Sequence, residues 1–334
     1  MTLQNRHEIK DAAKDALAAA SYDPKKIVLI HTGVSLALML TLVVLDFLLE
    51  NQISETGGLS GLGLRSVLST LQSLLQTFQL LVLPFWEIGY CYATMKLARR
   101  ESAPPASLLE GFRRFGPILR IMLLKGLIYF CVCFVCVYAG TQIYLLTPLS
   151  RPLAEALTPL MAQGGDLENL LLMDPSLIAA VQDALTPIML IFGALFCAAA
   201  LPISYRLRMV NYAVLDAPRK GALAAMRLSF QLMRRNCISL FRLDLSFWWY
   251  YLLQLLLSFL CYGDVLLDLV GITLPWSGTV SFFLFYILFL VCQLGLYYLA
   301  RNQVEVAYAT AYDILRSAQP GSEAYPSRQQ PWTY

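Results

Sequence analysis

The chain of 334 residues is 58% hydrophobic and only 14% charged, and its formal net charge is +3. A typical soluble domain carries about 25% charged residues, so this composition indicates a protein whose surroundings are largely lipid. With two histidines and no GxxxxGK[ST] sequence, the chain has neither the HExxH zinc motif nor a phosphate loop, which excludes the enzyme classes that depend on them.

The N-terminal segment, residues 1–26, is polar and lacks the apolar run of a signal peptide. The apolar residues Ile9, Ala13, Ala16 and Leu17 recur at helical spacing, which predicts a short amphipathic helix that ends before Pro24. We expect the first membrane helix to serve as an uncleaved insertion signal.

Six apolar stretches follow, each long enough, or nearly so, to cross a membrane. A hydrocarbon layer about 30 Å thick needs about 20 residues of helix, and inside it every backbone amide must be paired within the segment. The predicted fold is therefore all-α, with six transmembrane helices arranged as three hairpins. The predicted spans are residues 27–49, 66–98, 117–146, 186–215, 243–270 and 278–311.

The basic residues predict the orientation. Nearly all of the 25 Lys and Arg residues lie in the N-terminal segment, in the second and fourth connections and near the C-terminus. Cytoplasmic loops carry such an excess, so we expect both termini, including a disordered tail at 316–334, on the cytoplasmic side of the membrane. Basic clusters beside membrane spans favour anionic headgroups over nucleic acid as their partner.

Three similar segments begin with Tyr-Ala: "YATMKLARR" at Tyr92, "YAVLDAPRK" at Tyr212 and "YATAYDILR" at Tyr308. Each comes at or near the end of an even-numbered span, so the copies run parallel. This pattern predicts a pseudo-threefold arrangement of helical hairpins.

Amphipathic linkers come after the second and fourth spans, in "ASLLEGFRRFG" from Ala106 and in the stretch from Leu223 to Met233. Their apolar residues share one helical face and their basic residues the other, which predicts helices that lie in the membrane interface. "FWWYY" then predicts an aromatic belt at the start of the fifth span. The residues assigned to headgroup and interface contact are Arg113, Arg114, Arg234, Arg235, Trp248 and Trp249.

The third connection, residues 148–185, is the longest segment expected outside the cell membrane. It is acidic and apolar and is interrupted by Pro159, Gly164 and Pro175. We expect two or three short helices that cover the outer mouth of the bundle, because a loop of this length is more often functional than idle.

Ionisable residues at membrane depth are the first candidates for function. Glu87 lies in an apolar stretch just after Pro84, where it could bind a cation or relay a proton; alternatively, it lies near the cytoplasmic interface and pairs with an arginine or tyrosine of another span. His31 and Glu305 are further candidates for an intramembrane polar site. Alternatively, His31 is an interfacial or hydrogen-bonded residue, and Glu305 pairs with basic neighbours.

Asp244 and Ser246 form a structural motif at the start of the fifth span. A carboxylate in the first turn of a helix is stabilised by the helix dipole by about 0.3–1 kcal/mol. We expect Asp244 to pair with a cytoplasmic arginine.

Neither a metal nor a cofactor is expected. "CVCFVC" contains Cys131, Cys133 and Cys136, but the first two point about 200° apart on a helix and cannot converge on one ion. The cysteines are therefore interpreted as small apolar packing residues.

The stretch "LFRLDLSFWWYYLL" resembles an uncharacterised family of bacterial integral membrane proteins known only as a domain of unknown function. Further matches, in the same order, are "IKDAAKDAL" from Ile9, "GYCYATMKLARRE" from Gly89, "LLEGFRRFG" from Leu108 and "AYATAYDIL" from Ala307. The resemblance implies a multi-span helical protein of a bacterial plasma membrane and carries no activity, cofactor or catalytic residue. The chain departs from the family pattern in its third connection and between the last two spans.

Three functions are compatible with these features. The first hypothesis is a non-enzymatic protein that binds lipid, a protein partner or a second copy of itself. Its role would be in envelope maintenance or export. The second is a small-solute or ion transporter that uses Glu87 and two helices interrupted by Pro84 and Pro202. The third is a membrane enzyme that acts on lipid.

Overall fold

The computed structural model describes residues 6–55, 62–151, 154–155, 175–218, 221–260, 262–263, 267 and 278–318. Within these ranges the regular structure is helical and contains no strand. The chain divides into two compact units. Unit 1 comprises residues 1–119 and 209–334, and unit 2 comprises residues 120–208.

Twelve α-helices organise the described residues. The first five are α1 (Arg6–Ala18), α2 (Pro24–Glu55), α3 (Leu62–Ala98), α4 (Glu110–Arg113) and α5 (Phe115–Leu146), with a 3₁₀ turn at Pro105–Leu109. They are followed by α6 (Pro175–Leu207), α7 (Val210–Asp216), α8 (Ala222–Met233), α9 (Cys237–Leu245) and α10 (Trp248–Leu260). The last two, α11 (Gly278–Leu296) and α12 (Asn302–Ser317), are joined by a π-helical turn at Tyr297–Arg301.

Five helical segments are long and apolar enough to span a membrane, and the bent pair α9 and α10 makes a sixth if it is counted as one span. In α3 and α6 the most apolar 18-residue window has no residue buried by protein. Apolar helices with so little protein contact need another apolar medium around them. The chain is thus an all-α, multi-pass membrane protein, as the sequence predicted.

The fifth span differs from the predicted one. Residues 243–270 do not form one helix, because α9 ends at Leu245 and α10 starts at Trp248 with a bend of 69° between their axes. The Ser246 hydroxyl donates to the carbonyl of Leu243 at 2.7 Å, and a side chain that competes for backbone carbonyls in this way favours a helix end. Most of residues 261–277 lie outside the described part of the chain.

The fourth apolar span, Leu185–Asp216, agrees with the predicted 186–215, but it is divided between two helices. Its helix α6 begins at Pro175, eleven residues before the predicted start at 186, and ends at Leu207. A turn at residues 208 and 209 then separates it from α7. Of the predicted external loop, residues 152–153 and 156–174 lie outside the described residues.

Helix α3 has two different halves. From Val67 to Leu81 its apolar side chains are mostly exposed, whereas from Phe85 to Leu97 most of its side chains are buried by α1, α2, α7, α12 and the linker that contains α4. We call the exposed apolar stretches of α2, α3 and α11 the apolar band. The buried end of α3, with α1, α4, α7, α8, α12 and the 3₁₀ turn, is the basal bundle.

In unit 2, α5 and α6 are apolar and carry many exposed large side chains. Phe130, Phe134 and Leu190 are among the most exposed. A Cβ added to Gly140 would lie at an ordinary van der Waals distance, 3.7 Å, from the Cα of Phe192, so α5 and α6 pack against each other at this point.

Candidate functional site

The π-helical turn places Arg301 at the centre of a buried polar cluster in unit 1. Only 9% of its side chain is exposed, and Nη2 donates to both carboxylate oxygens of Glu87, at 2.6 and 2.9 Å. The guanidinium also lies over the rings of Tyr90 and Tyr297, 4.8 and 4.5 Å from their centroids. Single π-helical turns occur frequently at functional sites.

Glu87 is much more open than its partner, since 48% of its side chain is exposed. It pairs with an arginine of another helix, which is the second of the two predicted alternatives. The sequence interpretation missed Arg301, because it counted this residue among the basic residues of the C-terminal end. Its position in the apolar stretch "LGLYYLARNQ" was the signal that could have identified it.

His31 is completely buried beside this ion pair. Its imidazole stacks between Trp86 and Tyr90, with centroid distances of 5.4 and 4.5 Å. The Nε2 atom lies 4.0 Å from Oε1 of Glu87, and neither ring nitrogen has a hydrogen-bond partner among the described residues. Of the predicted alternatives for His31, a hydrogen-bonded ring is not found among the described residues, and aromatic rings contact the imidazole instead.

Hydrogen bonds hold the helices around the cluster in register. The Tyr90 hydroxyl donates to Oδ1 of Asn302 at 2.7 Å, and the amide of Asn302 donates to the carbonyl of Pro24 at 2.6 Å. Because these bonds join α2, α3 and α12, the polar cluster sits on a rigid frame. Glu305 lies about one turn beyond Arg301 and accepts a hydrogen bond from Tyr212 at 3.5 Å, so it belongs to the side of the frame that faces α7.

The cluster lies at one edge of the apolar band. Exposed apolar residues extend from Leu29 to Leu48 on α2 and from Val280 to Leu299 along α11 and the π-helical turn, and each range spans about 28 Å at 1.5 Å per residue. This length matches the ~30 Å hydrocarbon layer. His31 and Arg301 are each two residues from the end of such a range, so the cluster is near the boundary of the layer and not at its midplane.

The predicted headgroup residues fall into two groups. Arg113 and Arg114 share Glu110, at 3.6 and 2.8 Å. Arg114 also donates to the carbonyl of Leu215 and lies over the ring of Tyr92. Much of the charge of this first pair is thus compensated inside the protein.

The second pair is open. Arg234 and Arg235 lie in the turn between α8 and α9, where both are exposed, and neither has an ion-pair partner among the described residues. Arg242 on α9 is also exposed and has no ion-pair partner among the described residues.

Helix α9, and not α8, carries the exposed apolar stripe of this linker. On α8 the predicted lipid-facing residues Met226 and Met233 are buried by protein, because this face packs in the basal bundle. On α9 the side chains of Ile238, Phe241 and Leu245 form one stripe with exposures of 70%, 51% and 54%. Two further exposed aromatic residues, Trp248 and Trp249, start α10 immediately after the bend.

The structure corrects the environment predicted for Asp244. This carboxylate is in the last turn of α9 and not in a first turn, and it accepts a hydrogen bond from the Tyr308 hydroxyl. Lys10 of α1 donates to the Ser246 carbonyl at 3.3 Å and lies 4.5 Å from the centroid of Phe247. Burial, followed by the charges of Lys14 and Arg6, lowers the pKa of Lys10 below its ordinary value.

The three Tyr-Ala segments meet in a charged cluster of the basal bundle. Arg99 from the first segment contacts Asp216 from the second at 3.1 Å and Asp313 from the third at 2.7 Å. Arg316 and Tyr312 also bind Asp216, whose side chain is only 1% exposed. The predicted repeats therefore share one ion-pair network.

This network keeps its central cation charged. Burial alone would lower the pKa of Arg99, but the hydrogen bond and charge of Asp313 and the charge of Asp216 outweigh it and raise that pKa above its ordinary value. The network joins three segments through mutually compensated charges, and the loss of one partner would leave a buried charge uncompensated, which indicates a structural role.

Within the described residues, no group of three or more His, Cys, Asp or Glu side chains is placed to hold a metal ion. Cys131, Cys133 and Cys136 are spread over exposed, intermediate and buried positions of α5.

The helical fold, the apolar band and the boundary polar cluster define a polytopic α-helical membrane protein. A family model described as a protein of unknown function (DUF975) matches residues 1–304, and the chain belongs to this family. No curated protein matches the chain, and no solved structure does.

Proposed function

We propose that the chain is a non-enzymatic, multi-pass protein of a bacterial inner membrane that binds anionic lipid headgroups on its cytoplasmic side, in envelope maintenance or export. The uneven distribution of basic residues supports cytoplasmic termini, because the positive-inside rule relates such an excess to the cytoplasmic loops. A bacterial plasma membrane is what the sequence resemblance implies.

The observation that carries the proposal is the geometry of α9. A short helix that bends by 69° away from an apolar helix can lie along the interface while its neighbour crosses the membrane. Its exposed stripe of Ile238, Phe241 and Leu245 would then enter the boundary of the acyl chains.

Unpaired charges next to this stripe add the electrostatic part. Arg234, Arg235 and Arg242 lie in or just before α9, and each basic residue near an anionic surface contributes about 1 kcal/mol of attraction. Arg114 contributes less under this proposal, because Glu110 and a backbone carbonyl already bind its guanidinium.

Native mass spectrometry of the purified protein tests the proposal. We expect the wild type, extracted from mixed membranes, to retain phosphatidylglycerol in preference to phosphatidylcholine. The variant with Arg234→Gln, Arg235→Gln and Arg242→Gln should retain much less. The control is Arg6→Gln with Lys14→Gln, which removes two positive charges from the exposed face of α1, and it should retain as much lipid as the wild type.

Two results would contradict the proposal: no retained anionic lipid on the wild type, or equal loss in the control and in the arginine variant. The second result would mean that net charge, and not this surface, attracts the lipid. Circular dichroism of each variant separates a loss of binding from a loss of fold.

The second candidate function is the movement of a proton or small cation. It is favoured by one specific observation, the half-exposed Glu87 carboxylate beside a buried histidine whose ring nitrogens have no hydrogen-bond partner among the described residues. The position near the edge of the apolar band is suited to exchange with water on one side of the membrane.

Proteoliposomes with an imposed pH or salt gradient test this candidate. Wild-type protein should dissipate a gradient faster than empty vesicles, and Glu87→Gln or His31→Phe should abolish the effect. His31→Phe keeps a ring between Trp86 and Tyr90 and removes the titratable nitrogens. Glu101→Gln, at an exposed loop residue, is the control. Wild-type rates equal to those of empty vesicles would exclude the candidate.

A further inference from the structure

A pocket lies where the turn between α8 and α9 meets the end of α12. Its volume is about 240 Å³. It is lined by Gln231 and Leu232 from the end of α8, by Arg234, Arg235 and Asn236 from the turn, by Leu315 of α12 and by Ala318 just after that helix. Sites for drug-sized ligands have volumes of about 300–1,000 Å³, so this pocket is suited to a smaller chemical group.

The charged side chains of the pocket are Arg234 and Arg235, and the rest of its lining is polar or apolar. No carboxylate lines it, and Arg234 and Arg235 have no ion-pair partner among the described residues. Asn236 directs its amide to the carbonyl of Leu232 at 2.8 Å, and its backbone N–H bonds to the carbonyl of Met233 at 3.1 Å. The last carbonyls of α8 are therefore partly satisfied, which leaves the two guanidinium groups as the dominant charges.

The helix dipoles do not cancel the positive charge of the pocket. The C-terminal ends of α8 and α12 each carry about −0.5 of an elementary charge, and the N-terminus of α9 carries about +0.5. The two arginines contribute two full positive charges, so the pocket remains strongly positive. It favours an anion with more than one acceptor oxygen, because a guanidinium binds two oxygens at once.

We propose that this pocket binds the phosphomonoester headgroup of an anionic lipid, an assignment that rests on the proposed function. A phosphomonoester presents three free oxygens and a charge of about −1.5 to −2 at neutral pH. A phosphodiester headgroup offers only two free oxygens and one charge. Two adjacent arginine forks therefore bind the monoester more tightly.

The surroundings indicate a lipid source for the phosphate. Ile238 is two residues beyond Asn236 and begins the exposed apolar stripe of α9. A headgroup in the pocket thus has an apolar surface within about one helical turn for its acyl chains. Free phosphate would use the arginines and leave this stripe without a role.

Titration of the full chain in nanodiscs of phosphatidylcholine tests the assignment. Short-chain phosphatidic acid, short-chain phosphatidylglycerol and inorganic phosphate are added separately, and binding is followed by calorimetry. We expect saturable binding of phosphatidic acid, at least tenfold tighter than that of the other two. Arg234→Gln with Arg235→Gln should remove this preference, and Arg234→Lys with Arg235→Lys should weaken it. Arg6→Gln with Lys14→Gln should not change it.

Each contrary result has a separate meaning. Equal affinities for phosphatidic acid and phosphatidylglycerol would overturn the pocket assignment and leave general binding of anionic lipid intact. Inorganic phosphate that binds as tightly as phosphatidic acid would make the pocket a site for free phosphate and would overturn the lipid assignment. A preference that survives in the Gln variant, with an unchanged circular dichroism spectrum, would place the phosphate elsewhere.

Discussion

The two ends of α3 are built from similar apolar residues but have opposite surroundings. Leu80 is 73% exposed, whereas Leu97 is completely buried by neighbouring helices. The buried end carries the contacts that define unit 1, with α1, α7, α12 and the linker around it. The exposed end has few protein contacts and relies on the lipid to keep its side chains from water.

This difference shows which part of the molecule holds its tertiary structure. In a bilayer, side chains of the apolar band lose little free energy when they exchange a protein neighbour for lipid, because lipid tails are equally apolar. In the basal bundle, buried ion pairs and close backbone approaches fix the helices in one arrangement. Mutations of equal size should therefore have very different effects in the two regions.

The largest expected effect is at the charged cluster of the basal bundle. Asp216→Ala should lower the free energy of unfolding by about 3–5 kcal/mol, because it leaves two arginines partly unpaired in a buried site. Thermal unfolding in detergent, followed by circular dichroism, measures the change. Asp11→Ala is the control, since Asp11 forms an exposed pair with Lys14 that contributes about 0–1 kcal/mol. Similar losses in both variants would mean that the network does not stabilise the bundle.

A second comparison uses one residue type at the two ends of α3. Leu97→Ala should lower the free energy of unfolding by about 2–5 kcal/mol, because it removes buried apolar surface and leaves a cavity. Leu80→Ala should change the free energy of unfolding by less than about 0.5 kcal/mol, as exposed substitutions usually do. If Leu80→Ala proves as damaging as Leu97→Ala, the band is covered by protein and not by lipid.

A third comparison uses glycines. A Cβ at Gly89 would lie 1.8 Å from the carbonyl oxygen of Leu108, whereas a Cβ at Gly33 of α2 meets nothing within 4 Å. Gly89→Ala should lower the free energy of unfolding by about 1–3 kcal/mol or more, because the backbone at Leu108 must move to make room for the new Cβ. Gly33→Ala should stabilise by up to about 1 kcal/mol through helix propensity. A stable Gly89→Ala variant would show that α3 and the linker do not pack this closely.

The last prediction concerns His31, where a small effect is expected. His31→Phe should change the free energy of unfolding by less than about 1.5 kcal/mol, because the stacked ring is kept and no hydrogen bond of its nitrogens to a described residue is lost. The same unfolding measurement checks it. A large loss would mean that the imidazole nitrogens have a partner in the membrane-embedded protein, such as a bound water or ion.

Much of the fold could be predicted because apolar runs report the length of a membrane helix directly. The predicted spans at residues 66–98 and 117–146 agree closely with α3 and α5. Breaks at Ser246 and Arg208 escaped prediction, since they depend on side-chain hydrogen bonds and packing that leave the hydropathy of the run unchanged.

The candidate site was predicted in part. Glu87 and His31 were chosen because ionisable residues are rare at membrane depth. Arg301, the ion-pair partner of Glu87, was missed, because it was counted among the basic residues of the C-terminal end although it lies in an apolar stretch. One of the two aromatic rings under its guanidinium, Tyr90, comes from a position distant in sequence, whereas Tyr297 lies one turn away.

The sequence by itself determined that the chain crosses a membrane several times as helices, because the cost of an unpaired amide in hydrocarbon allows no other structure for such runs. Tertiary structure alone decided which charges are neutralised. Arg99, Arg114 and Arg301 are bound within the protein, whereas Arg234, Arg235 and Arg242 have no ion-pair partner among the described residues. An ion pair depends on the distance between two atoms, and residues as far apart as Glu87 and Arg301 come together only when the helices pack.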